Sequence, residues 1–374
     1  MRQQLLTQAK RVVVKVGSSL IASRDHGLRN ERLERICSEL SAVKQHGKDL
    51  LLVTSGAIVS GLKKLGLNSY PKNLPVKQAA AAVGQSRLMW AYEQAFERSG
   101  QHVAQILLTH QDLADRRRFL NARHTLTTLL SFGVVPIINE NDTVAVDEIR
   151  FGDNDTLAGQ VAHLVDADLL VILSDVDGLF TADPRRHPDA SLIPEISEVT
   201  EEIQRLAGDS STFEGTGGMM TKVRAAKKVA EYGVSTLLLN GQTEGLLGRI
   251  LGGADGGSFF HPHSQRLSSR KHWIAFTLRP RGSVVLDPGA VEALVARGKS
   301  LLASGILTVE GDFEAGDAVA CRNAQGREIA KGLVNYSAVV LTRIKGMKTA
   351  DIRNSLGQPE YEEVIHRDNL VILR

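Results

Sequence analysis

The chain has 374 residues, 43% of them apolar and 23% charged, with 45 Lys and Arg against 42 Asp and Glu for a formal charge of +3. That length suggests two or three domains, and that composition excludes wholesale disorder. The charge surplus is too small for the polycation that nucleic-acid binding usually needs; residues 271–374 carry only 14 basic side chains against 12 acidic ones.

Cys37 and Cys321 stand far apart, in no metal-type spacing, and read as buried reduced thiols. No apolar run approaches the roughly 18 residues of a membrane span. The early run at 12–14 is flanked by Lys10, Arg11 and Lys15, unlike a secretory leader. A soluble cytoplasmic protein is expected.

Along the chain, residues 11–16 (RVVVKV) read as a short buried strand closed by Gly17. Residues 30–46 carry Leu33, Ile36, Cys37 and Leu40 at helical spacing. Residues 50–53 form another apolar run, closed by Thr54, Ser55 and Gly56, and an Ala-rich helix is predicted over about 76–98. Strand-like runs recur at 103–108, 134–138, 169–173 and 236–239, with helical patterns between them. Such alternation predicts the α/β class, an open and mostly parallel sheet sandwiched by helices.

After about residue 245 the texture changes. Residues 252–270 are Gly- and Ser-rich and read as a linker, or a loop plus linker. Short strand candidates follow at 283–286, 305–309, 318–321, 328–333, 338–342 and 370–373, with a hairpin turn at Asn323, Ala324, Gln325 and Gly326. These predict a domain at 1–260, a linker at 261–280 and a small β-rich domain at 281–374.

Ligands of open parallel sheets bind beyond the carboxyl ends of strands, where helix N-termini offer unpaired N–H groups. Five polar clusters stand just after strand-like runs. Lys15 to Ser19 could hold a phosphate, or be a strand-end lysine followed by a helix-start serine. Thr54-Ser55-Gly56-Ala57 has the same form. The segment 139–155 holds six carboxylates, Glu140, Asp142, Asp147, Glu148, Asp153 and Asp155, which suit a divalent metal, an ammonium-bearing substrate, or only a solvated loop. Ser174 to Phe180 suits a ligand or an Asx turn. Gly215 to Lys222 (GTGGMMTK) opens a helical pattern and forms a phosphate cradle. Residues 56–63 nearly match a P-loop but have Leu62 where its lysine belongs, and no GxGxxG, GxSxG, HExxH or CxxC pattern is present.

The set KVGSS, VTSGAI, KQAAAAVGQSRLM, PIINENDTV, FGDNDTLA, LSDVDGLFTADP and GTGGMMTK, in this order over residues 10 to about 260, resembles the glutamate 5-kinases of the amino-acid kinase superfamily. Residues from about 282 to 373 resemble a PUA domain. The resemblance implies ATP-dependent phosphorylation of the γ-carboxylate of L-glutamate to L-glutamyl 5-phosphate, the first step of proline biosynthesis. It implies Lys15 and Lys222 as phosphoryl-transfer cations with Asp155 holding them, and Ser55, Asp142 and Asn154 as glutamate-binding residues. It implies Lys15, Ser174, Asp175, Thr216, Gly217, Gly218, Met219, Met220, Thr221 and Lys222 as the ATP-binding residues. ATP is then a co-substrate, and Mg²⁺ rides mainly on its phosphates, with no protein metal site. Proline as feedback inhibitor, a glutamyl-phosphate reductase as the next enzyme, and a homodimer or homotetramer are implied as well.

Two alternatives remain open. Another amino-acid kinase could act on acetylglutamate, aspartate or a nucleoside monophosphate. The C-terminal domain could bind RNA, against which its near-neutral charge argues, or serve a structural or regulatory role. The run Arg116, Arg117 and Arg118 reads as a solvated helix face, with Asp112 and Asp115 just before it.

Overall fold

The computed structural model describes residues 1–23, 27–145, 154–208, 218–263, 274, 278, 280–348, 351–352 and 362–373. Two compact units result, Met1–Arg266 and Leu267–Arg374.

The first unit contains strands β1 (Arg11–Val16), β2 (Ala22–Ser23), β3 (Gly27–Leu28), β4 (Asp49–Val53), β5 (Val103–Leu108), β6 (Val135–Glu140), β7 (Leu169–Ser174), β8 (Glu195–Ile196), β9 (Ser235–Asn240) and β10 (Ser258–Phe260). Eight of them form one sheet in the order β5-β6-β4-β1-β7-β9-β10-β8, while β2 and β3 pair by themselves. The six strands from β5 to β9 in that order are parallel, and β10 runs antiparallel to β9. Strands β6 and β7 are buried at every position, as in a sheet covered on both faces. The α/β class read from the sequence is the class observed.

From β1 the chain adds β4 and β6 on one side, then returns to add β7 and β9 on the other. β1 therefore sits at the switch of strand order, where such sheets open a crevice at their carboxyl ends. Lys15 lies there, in register with Val53 of β4 and Ile172 of β7.

Two sequence readings change here. The strand expected at 134–138 runs on through Asn139 and Glu140, which pair with Leu107 and Leu108 of β5. These polar residues therefore belong to the strand end and not to a loop. Within the stretch read as a linker, Ser258–Phe260 forms β10, because Ser258, Phe259 and Phe260 bury fully on the sheet despite the glycines before them.

The helix Ala57–Leu62 follows β4 and crosses the long helix Leu74–Glu97 closely. A Cβ at Gly84 would come 1.8 Å from the Ala57 carbonyl oxygen, and one at Gly61 would come 1.9 Å from that of Ala80. Only glycine permits this approach, and it fixes the helix that begins directly after Thr54 and Ser55.

The second unit has a five-stranded sheet of β11 (Gly282–Leu286), β12 (Ile306–Gly311), β13 (Ala318–Arg322), β14 (Glu328–Leu333) and β15 (Leu370–Ile372), in the order β12-β11-β13-β14-β15. Its core gathers Val284, Leu286, Leu294, Val319, Cys321, Leu341 and Ile344. The run 338–342, read as a strand, is the helix Ala338–Ile344. Ser337 caps it through the Val340 N–H, and Ala338, Leu341 and Ile344 bury one face, so helical periodicity overrides the β-branched Val339 and Val340. Both cysteines are buried and unbridged, and burial raises their thiol pKa values, that of Cys321 to about 12. No helix among the described residues is long and apolar enough to cross a membrane.

Candidate active site

Three charged side chains from three distant segments meet at the crevice. Lys15 ends β1, Asp155 lies in the first turn of the helix Asn154–Leu164, and Lys222 lies in the first turn of the helix Met219–Glu231. Lys15 Nζ is 2.6 Å from Asp155 Oδ1, and Lys222 Nζ is 3.3 Å from Asp155 Oδ2. Asp155 is 0% exposed, Lys15 5% and Lys222 7%. Thr221 Oγ1 donates to Asp155 Oδ2 at 2.8 Å.

Burial by itself would raise the Asp155 carboxyl, but the Lys15 and Lys222 ammonium groups and the hydrogen bonds to it outweigh burial and hold it well below the usual carboxylate range. For Lys222, burial lowers the pKa more than Asp155 raises it. The trio carries a net charge of +1 when all three groups are ionised, aimed at an anion that enters the crevice.

On one side stands an amide-rich cluster. Asn154 Nδ2 lies 2.7 Å from the Thr54 carbonyl oxygen, 2.9 Å from Ser55 Oγ and 3.0 Å from Asn139 Oδ1. Thr54 Oγ1 meets the Tyr92 hydroxyl at 2.8 Å in the core. Gly56, with φ of +99°, turns the chain from β4 into the next helix, a conformation that favours glycine. Asp142 follows β6, half-buried, and makes no hydrogen bond or ion pair among the described residues. Burial pushes its carboxyl up to about 6.

On the other side lies a cavity of about 440 Å³, walled by Ser174, Asp175, Leu179, Leu206, Met219 and Lys222 among others. Its loop after β7 is pinned twice: Ser258 Oγ accepts from the Leu179 N–H at 2.8 Å, and Asn240 Nδ2 donates to Asp177 Oδ1 at 2.8 Å. Asp183 holds Arg185 through two bonds of 3.0 Å. Lys222 belongs both to this wall and to the charged trio.

The structure thus brings Lys15, Asp155 and Lys222 together, and joins Ser55 to Asn154. It sets Ser174, Asp175 and Met219 on the cavity wall. Gly218 caps the helix Met219–Glu231, which begins with Met219, Met220 and Thr221. Thr216 and Gly217 lie outside the described residues, as do Asp147, Glu148 and Asp153. Gln85, Tyr92 and Asn240 were not singled out by the sequence reading. Gln85 and Tyr92 share the buried face of their helix with Ala81 and Leu88, and a lone Gln on an apolar face was the available signal. Asn240 is the polar last residue of β9, the same strand-end signal as Ser174.

Residues 10–240 match the family profile described as the Amino acid kinase family, and residues 282–356 match the PUA domain. The chain is similar over its whole length to the glutamate 5-kinases of Geobacter sulfurreducens and Geobacter metallireducens, each 51% identical over 373 residues that cover 100% of both chains. It is 50% identical to that of Caldanaerobacter subterraneus over 97% of this chain and 98% of the relative. The chain belongs to the amino acid kinase family, within it to the glutamate 5-kinases that carry a C-terminal PUA domain.

Proposed function

We propose that this protein transfers the terminal phosphoryl group of ATP to the γ-carboxylate of L-glutamate, yielding L-glutamyl 5-phosphate and ADP, the first step of proline biosynthesis. The observation that carries the reading is one buried carboxylate, Asp155, gripped by Lys15 and Lys222 between the amide cluster around Asn154 and a cavity of about 440 Å³.

The nucleophile belongs to the substrate, so the reaction asks the protein for no activated Ser, Cys or His. It asks for alignment of a carboxylate oxygen with the γ-phosphorus and for positive charge around the moving phosphoryl group. Lys15 and Lys222 supply that charge as compact ammonium groups. Asp155 keeps both aimed and favours their charged forms. The first turn of the helix Met219–Glu231 lines the cavity through Met219 and Lys222, and a helix N-terminus favours phosphate. Mg²⁺ brought in with ATP would be held mainly by the nucleotide phosphates and would offset part of their charge. Asp155, already matched by two lysines, is not offered to it, and the described residues contain no cluster of three or more side chains of the metal-ligating type.

Glutamate sits against Ser55, Asn154 and Asp142, with its ammonium on Asp142. Asp142→Ala is expected to raise the KM for glutamate by about 30- to 100-fold, the loss of one charge-assisted contact, while kcat changes little. Because Asp142 titrates near 6, the wild-type KM should rise as pH falls through that value, where the carboxyl becomes neutral. The alanine variant should lack this dependence. Initial rates against glutamate at several pH values check both, and an unchanged KM with weaker ATP binding would reject the clamp.

Proline fits the same amino-acid clamp as a feedback inhibitor. A homo-oligomer, a structural or regulatory C-terminal unit, and transfer of the labile acyl phosphate to a reductase go with this reading. The direct test is trapping: glutamate, ATP and hydroxylamine should give γ-glutamyl hydroxamate in step with ADP. ADP release with acetylglutamate, aspartate or UMP, and none with glutamate, would overturn the assignment.

A further inference from the structure

Three carboxamides run in series from the long helix into the amino-acid cluster. Gln85, about nine-tenths buried on the helix Leu74–Glu97, accepts a hydrogen bond of 2.8 Å at Oε1 from Asn139 Nδ2. Asn139 Oδ1 accepts in turn from Asn154 Nδ2 at 3.0 Å. A primary amide has two N–H donors and one carbonyl acceptor. The donor end of Asn154 already faces three acceptors of the protein, at Thr54, Ser55 and Asn139. Only its Oδ1 is left for a ligand.

The direction of this series is not arbitrary. An Asn139 side chain turned over would aim its own N–H₂ at that of Asn154, donor against donor. The Thr54 backbone carbonyl holds the donor end of Asn154 inward, Asn139 must therefore meet it with Oδ1, and Gln85 Oε1 accepts from the N–H₂ that Asn139 then presents. Gln85 Nε2 is itself buried with no partner among the described residues. Turning the Gln85 amide over would face its N–H₂ to that of Asn139, so the unmatched donor is retained and the carbonyl stays on Asn139.

We propose that Gln85 is a positioning residue that, by accepting from Asn139 Nδ2, steadies the relay in the orientation the Thr54 carbonyl sets, so that Asn154 presents a carbonyl oxygen to the substrate's ammonium group and the site selects ligands that carry an α-ammonium group. This rests on the glutamate reaction proposed above. With both carboxylates ionised, the ammonium is the only donor glutamate has. A carbonyl at Asn154 can pair with that group alone, and an inverted amide would repel it.

The test compares L-glutamate with glutarate, which keeps both carboxylates and lacks the amine, using the full chain. Gln85→Leu removes the acceptor, Gln85→Met does so with a near-isosteric side chain, and Gln85→Glu keeps an acceptor. In Gln85→Leu the KM for glutamate should rise about tenfold, while the inhibition constant of glutarate, the KM for ATP and kcat stay within about twofold. Gln85→Met carries the same expectation should the leucine variant melt before assay, and Gln85→Glu should keep the wild-type preference for the amine. A looser helix without a relay would weaken glutamate, glutarate and ATP together; that pattern, or an unmoved ratio of glutamate to glutarate in folded variants, overturns the role. Wild-type enzyme that ignored glutamate would overturn the reaction itself, and this role with it.

Discussion

The Lys222→Ala enzyme is expected to turn over about 10³-fold more slowly than wild type, with the KM for glutamate moving less than about threefold. Lys222 Nζ rests on Asp155 and lines the cavity, and it makes no hydrogen bond to Ser55 or Asn154 among those described. In the proposed reaction its charge acts on the phosphoryl group in flight, and groups aimed where charge develops act mainly on kcat. Lys222→Arg should recover little. The ammonium lies 3.3 Å from Asp155 Oδ2 and 3.4 Å from the Gly218 carbonyl oxygen, in a space that suits a compact charge and not a planar fork. Steady-state kinetics decide the matter: a near-normal kcat with a large rise in the glutamate KM would place Lys222 on the wrong substrate.

The second large effect is expected at Asp155→Asn. The replacement is isosteric, so packing is preserved and only the charge is lost. Removing one partner from a buried ion pair typically costs about 3–5 kcal/mol, and here two ammonium groups lose the same counter-charge. The fold can relieve the strain by releasing a proton from Lys222, whose pKa burial already lowers and whose main support is Asp155. Two signatures follow. Turnover falls at least about 10²-fold, and the alkaline limb of the kcat profile moves to lower pH because Lys222 becomes neutral earlier.

The stability difference has its own pH dependence. Asp155 is held in the fold below its ordinary value, so its ionised form stabilises the protein above about pH 4 and loses that effect as pH falls toward about 2. The gap in denaturation midpoint between wild type and Asp155→Asn should be full at neutral pH and should narrow in acid. A gap that widened in acid would show that Asp155 is neutral in the native state, and the paired-lysine site would have to be abandoned.

Much of this architecture was legible locally. The helix read at 30–46 is Asn30–Gln45, and the strand read at 11–16 is β1, because apolar spacing reports which face of a segment is buried. The signal failed where two local tendencies conflict. Val339 and Val340 favour a strand, yet Ser337 caps a helix whose buried face lies at every third residue. It failed again at Ser258–Phe260, where a three-residue strand too short for any period is held by its neighbours in the sheet. Gln85 illustrates a different limit. Its place on a buried helical face follows from spacing, but its partner Asn139 lies on another element, and no periodicity connects the two.

By itself the sequence determined the cast: lysines, a carboxylate, amides and hydroxyls, each set at the end of a buried strand or the start of a helix, since strand ends and helix starts are local events. Only the tertiary structure decided that Lys15 and Lys222 share a single carboxylate, that Asn154 turns its donor end inward, and that Lys222 borders the cavity. Those contacts depend on the strand order around β1, where segments far apart in the chain become neighbours through non-local pairing and packing, which no window of sequence contains.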